Sequence, residues 1–169
     1  MIATELGESL YKTLGFNTEL NYEFYKPSGF VRKFEISPGI RIATKADFQE
    51  IIDIDVAVTG EKRDRFLEQF LPGTKLIFNS TGKLKGFYVE NAENELIIAS
   101  EPFYGLELLK VKLNSKGQSI VIPETNQTAK DFLIKNGYKN YQNVPRMILG
   151  KNVNWRSEYI FSRGAGYCG

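Results

Sequence analysis

The sequence predicts an α/β (α+β) domain in which a mixed, mostly antiparallel twisted sheet is flanked by about four helices. Three observations support this class. A length of 169 residues suits one well-buried domain. A composition of 42% hydrophobic and 25% charged residues is typical of soluble globular proteins. Runs rich in β-branched and aromatic residues alternate with helical patterns, and three such runs in succession indicate an antiparallel meander.

The first element is a helix that a glycine ends and a strand follows. The stretch LYKTLGF at residues 10–16 has this pattern, and FLIKNGY at residues 132–138 repeats it. Gly15 and Gly137 would each sit just after a helix, where a left-handed backbone costs a glycine little. The repeat has two interpretations: it is either a common helix-to-strand connection or the sign of a duplicated unit.

A strand at residues 40–43 then leads into a helix through a capping box formed by Thr44 and Asp47. The inward face of this helix carries Phe48, Ile51, Ile52, Asp55 and Val56. A second, shorter helix ends at Pro72–Gly73, and its buried stripe is Phe66, Leu67, Phe70 and Leu71. Asp55 is the one charged side chain among these apolar ones.

Three strands are expected within residues 75–100, followed by a helix, a short buried strand at 118–123, a second helix and a last strand at 142–150. The second helix should turn Ala129, Phe132, Leu133 and Asn136 inward. Because one helical crossover joins them, we expect the strands IIAS and SIVIP to be parallel neighbours in one sheet.

Composition excludes several classes of function. The 22 basic and 20 acidic residues give a formal charge of +2 with no Lys/Arg block, so no nucleic-acid partner is expected. No apolar run reaches the ~20 residues that cross a bilayer, and the first residues do not read as a signal peptide, which favours a cytoplasmic protein without a membrane partner. One cysteine, Cys168, excludes an internal disulfide. The absence of histidine excludes Ser-His-Asp and Cys-His catalysis, and we expect no metal site.

Several stretches together carry a family resemblance: IRIATKADFQEIID at residues 40–53, GKLKGFYVE at 82–90 and IVIPETNQTAKDFLIKNGYKN at 120–140. With the order of elements, they resemble the GNAT superfamily of acyl-CoA-dependent N-acyltransferases. VTGEKRDRFLEQF at 58–70, PRMILG at 145–150 and YIFSRGAGYCG at 159–169 are similar to the C-terminal domain of two-domain GNAT proteins. The resemblance implies a GNAT-like fold.

The same resemblance implies acetyl-CoA as co-substrate. GNAT proteins bind its pyrophosphate with backbone N–H groups at the start of the helix after the fourth strand, where the helix dipole favours an anion. Here that place is ASEPFYGLELL, which implies a cofactor site at Ala99, Ser100, Phe103, Tyr104, Gly105 and Leu106. Only Gly105 of the family pattern is present, because Ser100 replaces Arg or Gln and Phe103 replaces the first glycine. Tyr104, Gly105 and Leu106 are expected to supply the N–H groups that begin the helix.

The remaining candidate site residues are polar. Asn126 stands where the family has an Asn that contacts the cofactor or orients the reacting groups, although its residue type favours a helix N-cap. We take Glu101 and Asn126 as catalytic candidates and Asn126 also as a cofactor ligand. Glu90, Glu101 and Asp55 are candidates for the base that deprotonates an amine. Asp55, Arg63 and Glu90 are candidate substrate-binding residues.

The resemblance also implies a division of the chain. Residues 1–36 resemble the end of a preceding GNAT domain, residues 37–150 form the GNAT-like domain, and residues 151–169 are a tail that packs on it. The tyrosine that often acts as general acid in the family matches Tyr11 in the first segment and Leu133 in the second. The apolar residues of the first segment should pack on the main domain or on a second copy of the chain in a possible homodimer: Leu10, Leu14, Phe16, Tyr22 and Phe24.

Two functions therefore remain open. The first is an N-acetyltransferase, or its C-terminal domain, which positions acetyl-CoA between splayed fourth and fifth strands for attack by a small-molecule amine. The second is a non-catalytic GNAT-fold module that has lost the pyrophosphate loop and binds a ligand or partner. Fold alone does not choose between them.

Overall fold

The computed structural model describes residues 2–3, 5–30, 33–90, 95–116, 119–150 and 154–163. Its α-helices are α1 (Glu5–Thr13), α2 (Phe48–Thr59), α3 (Asp64–Phe70), α4 (Pro102–Lys116) and α5 (Gln127–Lys135). Its strands are β1 (Phe16–Pro27), β2 (Ile40–Ile42), β3 (Lys75–Phe78), β4 (Leu84–Val89), β5 (Leu96–Ala99), β6 (Ile120–Pro123), β7 (Tyr138–Leu149) and β8 (Ile160–Ser162). The predicted α/β class is confirmed. Among the described helices, none is long and apolar enough to span a bilayer.

The larger sheet has five strands in the order β2-β3-β4-β5-β8, and each pair of neighbouring strands is antiparallel. It contains the predicted meander β3-β4-β5. Gly86 of β4 lies opposite Ala99 of β5, and a Cβ on Gly86 would come within 2.8 Å of the Ile98 carbonyl oxygen. A glycine is therefore needed for β4 and β5 to approach this closely.

The smaller sheet has the order β6-β1-β7, so the strand from the N-terminal segment lies in its centre. Tyr22 of β1 faces Pro123 on one side and Val144 on the other, and its side chain is buried. The apolar residues of β1 thus pack on the rest of the chain, as predicted. Leu10 of α1 and Leu14, just after α1, do not pack in this way, because they remain 57% and 59% exposed.

The predicted pairing of IIAS with SIVIP is wrong. These runs are β5 and β6, and they belong to different sheets. The free edge of β5 pairs with β8, while β6 pairs with β1. β8 contacts β5 and β6 and so lies in the gap between them. The strand that pairs with β5 and the strand that pairs with β6 each come from a segment near one end of the chain. Local sequence patterns do not specify such long-range pairs.

Two clusters of core residues lie on the two faces of the larger sheet, and a third forms around Leu20 and Tyr22 of β1. Leu96 and Ile98 of β5 face the cluster formed with α2 and α3, whereas Ile97 and Ala99 face the cluster formed with α4, α5 and β6. This alternation is the period of a strand that is covered on both faces. β8 continues it, because Ile160 belongs to the first cluster and Phe161 to the second.

Local signals set several helix ends as predicted. The Thr44 N–H donates to Asp47 Oδ2 at 2.8 Å, which closes the capping box before α2. The hydrogen bonds from Arg41 hold the pKa of the Asp47 carboxyl well below its usual range, although burial acts in the opposite direction. Gly15 and Gly137 have φ values of 86° and 83°, so both take the left-handed conformation that was expected of them.

Candidate functional site

The first turn of α4 begins earlier than predicted. The helix starts at Pro102, and the Gly105 N–H donates to the Glu101 carbonyl oxygen at 3.3 Å. Gly105 and Leu106 therefore lie within the helix, and their amides do not begin it as expected. Pro102 has no N–H, which leaves the N–H groups of Glu101, Phe103 and Tyr104 as the donors of a standard first turn that have no acceptor within the helix. Of the three predicted donors, only Tyr104 is among them.

Gly105 has a packing role. A Cβ at this position would lie 2.2 Å from Cε2 and 2.3 Å from Cδ2 of the Phe161 ring. Phe161 is fully buried in β8 and packs in the same core cluster as Leu108 and Leu109 of α4. The glycine is explained by the close approach of β8 to α4. Approach of a phosphate is not needed to account for it.

Asn126 joins the start of α5 to β8. Its Oδ1 accepts a hydrogen bond from the Ala129 N–H at 2.9 Å, so it caps the helix as the alternative interpretation predicted. Its Nδ2 donates to the Ile160 carbonyl oxygen at 2.8 Å. Asn126 is 1% exposed, and both ends of its amide are used inside the protein. This residue reaches β8, in the place where the family would have its cofactor.

The other candidates around α4 face the protein surface or the sheet. Glu101 forms an ion pair with Lys85, and its side chain is 51% exposed. The Ser100 N–H and Oγ both donate to the Lys85 carbonyl oxygen, at 2.8 and 3.1 Å. Ala99 is buried against Gly86, and Phe103 is 58% exposed. Glu101 thus lacks the desolvated surroundings that favour a catalytic carboxylate.

Asp55 and Arg63 form a buried pair. Arg63 Nε donates to Asp55 Oδ2 at 2.9 Å, and a second bond joins Arg63 Nη2 to Asp55 Oδ1. Burial raises the pKa of the Asp55 carboxyl, and the Arg63 guanidinium opposes that rise. Since both side chains are almost completely buried, this two-bond geometry joins α2 to the start of α3. It does not present either group to a substrate.

Glu90 lies apart from α4, at the end of β4. It forms an ion pair with Lys75, which comes from the neighbouring strand β3, and both side chains are about one-quarter exposed, at 23% and 24%. Of the predicted site residues, the structure joins Asp55 to Arg63 directly and brings Gly105 and Asn126 together through β8. It gives Asp55, Glu90 and Glu101 separate basic partners.

The comparisons decide the family. A family model described as an acetyltransferase (GNAT) domain matches residues 51–162. This chain belongs to the GNAT acetyltransferase family. None of the curated proteins that were compared matches it.

Two solved structures share the GNAT fold of this chain. A crystal structure of a candidate acetyltransferase from Pyrococcus horikoshii has a TM-score of 0.77 at 21% identity over 96% of this chain and 56% of its own. A GNAT-family acetyltransferase from Colwellia psychrerythraea has a TM-score of 0.57 at 12% identity over 83% of this chain and 62% of its own. This GNAT domain thus spans little more than half the length of the structures that it matches.

The residues of this GNAT domain do not fit the acyl-CoA that the family implies. A thioester arm held between β5 and β6 would need the space in which β8 lies. A pyrophosphate at α4 would meet Phe103 and a helix start whose Gly105 packs on Phe161.

Sequence reasoning did not identify the residues that fill the cleft. Phe161 and Ser162 lie in the stretch YIFSR, which belongs to the predicted tail at residues 151–169. Ser162 accepts a hydrogen bond from Lys112 Nζ at 2.7 Å, and Lys112 also pairs with Glu95 at 2.7 Å. The one available signal was the apolar run at residues 159–161, which is too short to separate a buried strand from an ordinary surface segment. Residues 164–169, with Cys168, lie outside the described residues.

Proposed function

We propose that this chain is a non-catalytic GNAT domain of a longer N-acetyltransferase. In that protein a different GNAT domain transfers the acetyl group of acetyl-CoA to a small-molecule amine. The observation that carries the proposal is the position of β8 between β5 and β6. The cleft in which the family holds its thioester is filled by the chain's own strand. The GNAT fold is retained without the space for the reaction.

Two features support the longer protein. The chain covers 56% and 62% of the two structures that it resembles, so each of them contains additional polypeptide. The segment α1–Gly15–β1 repeats the order of α5–Gly137–β7, with the same left-handed glycine. A preceding GNAT domain that ends in α1 and β1 accounts for both features. Under this proposal β1 links the two domains, because it is also the central strand of the smaller sheet here.

Calorimetric titration of the purified chain with acetyl-CoA tests the proposal. We expect no heat of binding up to millimolar acetyl-CoA, and no acetylated product when primary amines are added. The fold of the sample is checked by its circular dichroism, so that absence of binding is not absence of structure. Micromolar binding, or steady release of CoA with an amine, contradicts the proposal and returns the domain to the catalytic class.

The Glu101→Gln variant separates the two functions further. In the non-catalytic domain the Glu101 side chain forms an exposed ion pair with Lys85, so CoA release should stay at the level of a protein-free control both with and without this substitution. A large fall in CoA release for Glu101→Gln would instead assign a reaction to this domain.

A further inference from the structure

We propose that the gap between β5 and β6 is a strand-binding groove, which takes an extended peptide segment where catalytic relatives would take acyl-CoA. In this chain the occupant is supplied by residues 154–163. The inference deepens the proposed function, on which it rests, because it names the kind of ligand that the converted cleft accepts. A peptide strand is the chemical class of that ligand.

The backbone of the groove recognises a strand in the manner of β-augmentation. The edge of β5 pairs antiparallel with β8, with Ile97 opposite Ser162 and Ile98 opposite Ile160. On the other side, Asn126 Nδ2 donates to the Ile160 carbonyl oxygen at 2.8 Å. The occupant's main chain is thus held from both walls. Such contacts select an extended segment over a globular ligand.

The side-chain positions of the groove select the sequence. Ile160 enters the cluster on the α2 side, and Phe161 enters the cluster on the α4 side, where Gly105 leaves room for its ring. Ser162 is completely buried and accepts from Lys112 Nζ. An apolar residue, an aromatic residue and a small hydroxyl residue are therefore required in that order.

Contacts before the strand align the occupant. The Arg156 N–H donates to the Val58 carbonyl oxygen at 2.7 Å, and Ser157 Oγ lies 2.8 Å from Thr125 Oγ1. Val58 belongs to α2, and Thr125 lies just after β6. These bonds fix residues 156 and 157 at one end of the groove. They thereby set the register in which Ile160 and Phe161 reach their two clusters.

The experiment cuts the link while the folded chain is kept. A recognition sequence for a specific protease is inserted between residues 150 and 154, and the full chain is purified and then cleaved. We expect the C-terminal fragment to co-elute with the rest of the chain in gel filtration, with circular dichroism unchanged. Release of the fragment, or unfolding on cleavage, contradicts the proposed groove. The segment would then be held in the gap only by its covalent link to the rest of the chain.

A labelled peptide with the sequence of residues 154–163 tests the selectivity. In excess it should replace the fragment and give saturable fluorescence anisotropy. A peptide with Phe161→Ala should bind at least about a hundredfold more weakly, as for removal of a buried aromatic ring. A Glu158→Ala peptide is the matched control, because that side chain is half exposed, and it should bind within about twofold. Equal binding by the Phe161→Ala peptide overturns the assignment.

Acetyl-CoA provides the arm that distinguishes this inference from the proposed function. Release of the fragment without any acetyl-CoA binding overturns the groove alone. Binding of acetyl-CoA by the intact chain, with the cleaved fragment still retained, overturns the proposed function alone. Displacement of the fragment by millimolar acetyl-CoA overturns the inference that the gap accepts a strand in preference to the cofactor.

Discussion

α4 and α5 each follow a strand that borders the same gap, yet their first turns are determined in contrasting ways. At α5, Asn126 caps the amide of Ala129, three residues further along the chain. At α4, the close approach that requires Gly105 comes from Phe161, which is remote in sequence. The cap of α5 was predicted from the sequence, whereas the contact at the start of α4 was not. Residues that interact within one helical turn form a recognisable sequence pattern, and residues that are remote in sequence do not.

The two turns nevertheless meet at β8. Asn126 holds its backbone, and Gly105 admits its aromatic side chain. In a GNAT enzyme these two places would serve a cofactor, as the resemblance implied. Here both contribute to stability, and substitutions at each should therefore change the free energy of unfolding.

The largest effect is expected at Phe161. Phe161→Ala removes a fully buried ring and should lower the free energy of unfolding by about 3–5 kcal/mol, measured by urea denaturation. Phe103→Ala is the matched control on the α4 side, because Phe103 is 58% exposed, and it should cost within about 0.5 kcal/mol. Equal losses for the two variants would mean that β8 does not fill the gap.

Asn126→Ala should have the next largest effect. It removes a cap worth about 1 kcal/mol and takes the Asn126 donor away from the buried Ile160 carbonyl at a cost of up to about 1–3 kcal/mol, so a loss of about 2–4 kcal/mol is expected. Asn126→Ser keeps a capping oxygen but is too short to reach Ile160, and it should recover only the cap. A loss near 1 kcal/mol for Asn126→Ala, the value of a cap alone, speaks against the contact with β8.

Gly105→Ala should be smaller because two effects oppose each other. Crowding of the Phe161 ring costs about 1–3 kcal/mol, while alanine gains up to about 1 kcal/mol over glycine inside a helix. We expect a net loss of about 1–2 kcal/mol in thermal and chemical unfolding. In the Phe161→Ala background the clash is gone, so the same substitution should become neutral or stabilising. An equal loss in both backgrounds would exclude the Gly105–Phe161 contact.

The smallest effect is expected at Glu101, outside the two contacts with β8. Glu101→Gln weakens an exposed ion pair with Lys85 and should change the free energy of unfolding by less than about 0.5 kcal/mol. A loss above 1 kcal/mol in urea denaturation would show that the first turn of α4 depends on this carboxylate as well as on the contact with Phe161.

Sequence patterns predicted most of the local structure. The Thr44–Asp47 capping box, the glycine turns after α1 and α5 and the meander β3-β4-β5 all depend on residues close together in the chain. The family resemblance led to the GNAT fold, which the family match and structural likeness support. The capping box, the glycine turns and the meander each depend on interactions between residues that are close in sequence.

The edges of the sheets were not predicted, because their partners lie far away in sequence. β6 pairs with β1, and β5 pairs with β8, so segments near the two ends of the chain complete the two sheets. Asp55 was proposed as a substrate ligand because a carboxylate stood on an apolar face, but its partner Arg63 lies on the far side of a turn and accounts for it. A charged residue on an apolar helix face does not indicate from sequence alone whether it binds a substrate or pairs with another residue.

Hydrogen–deuterium exchange of the segment 157–163 tests most directly whether β8 closes the cleft. Buried amides in a paired strand exchange only when the structure opens, so this segment should be protected to the same degree as β5. Millimolar acetyl-CoA should leave that protection unchanged. Exchange at the rate of an unstructured peptide, or loss of protection when acetyl-CoA is added, would contradict the account.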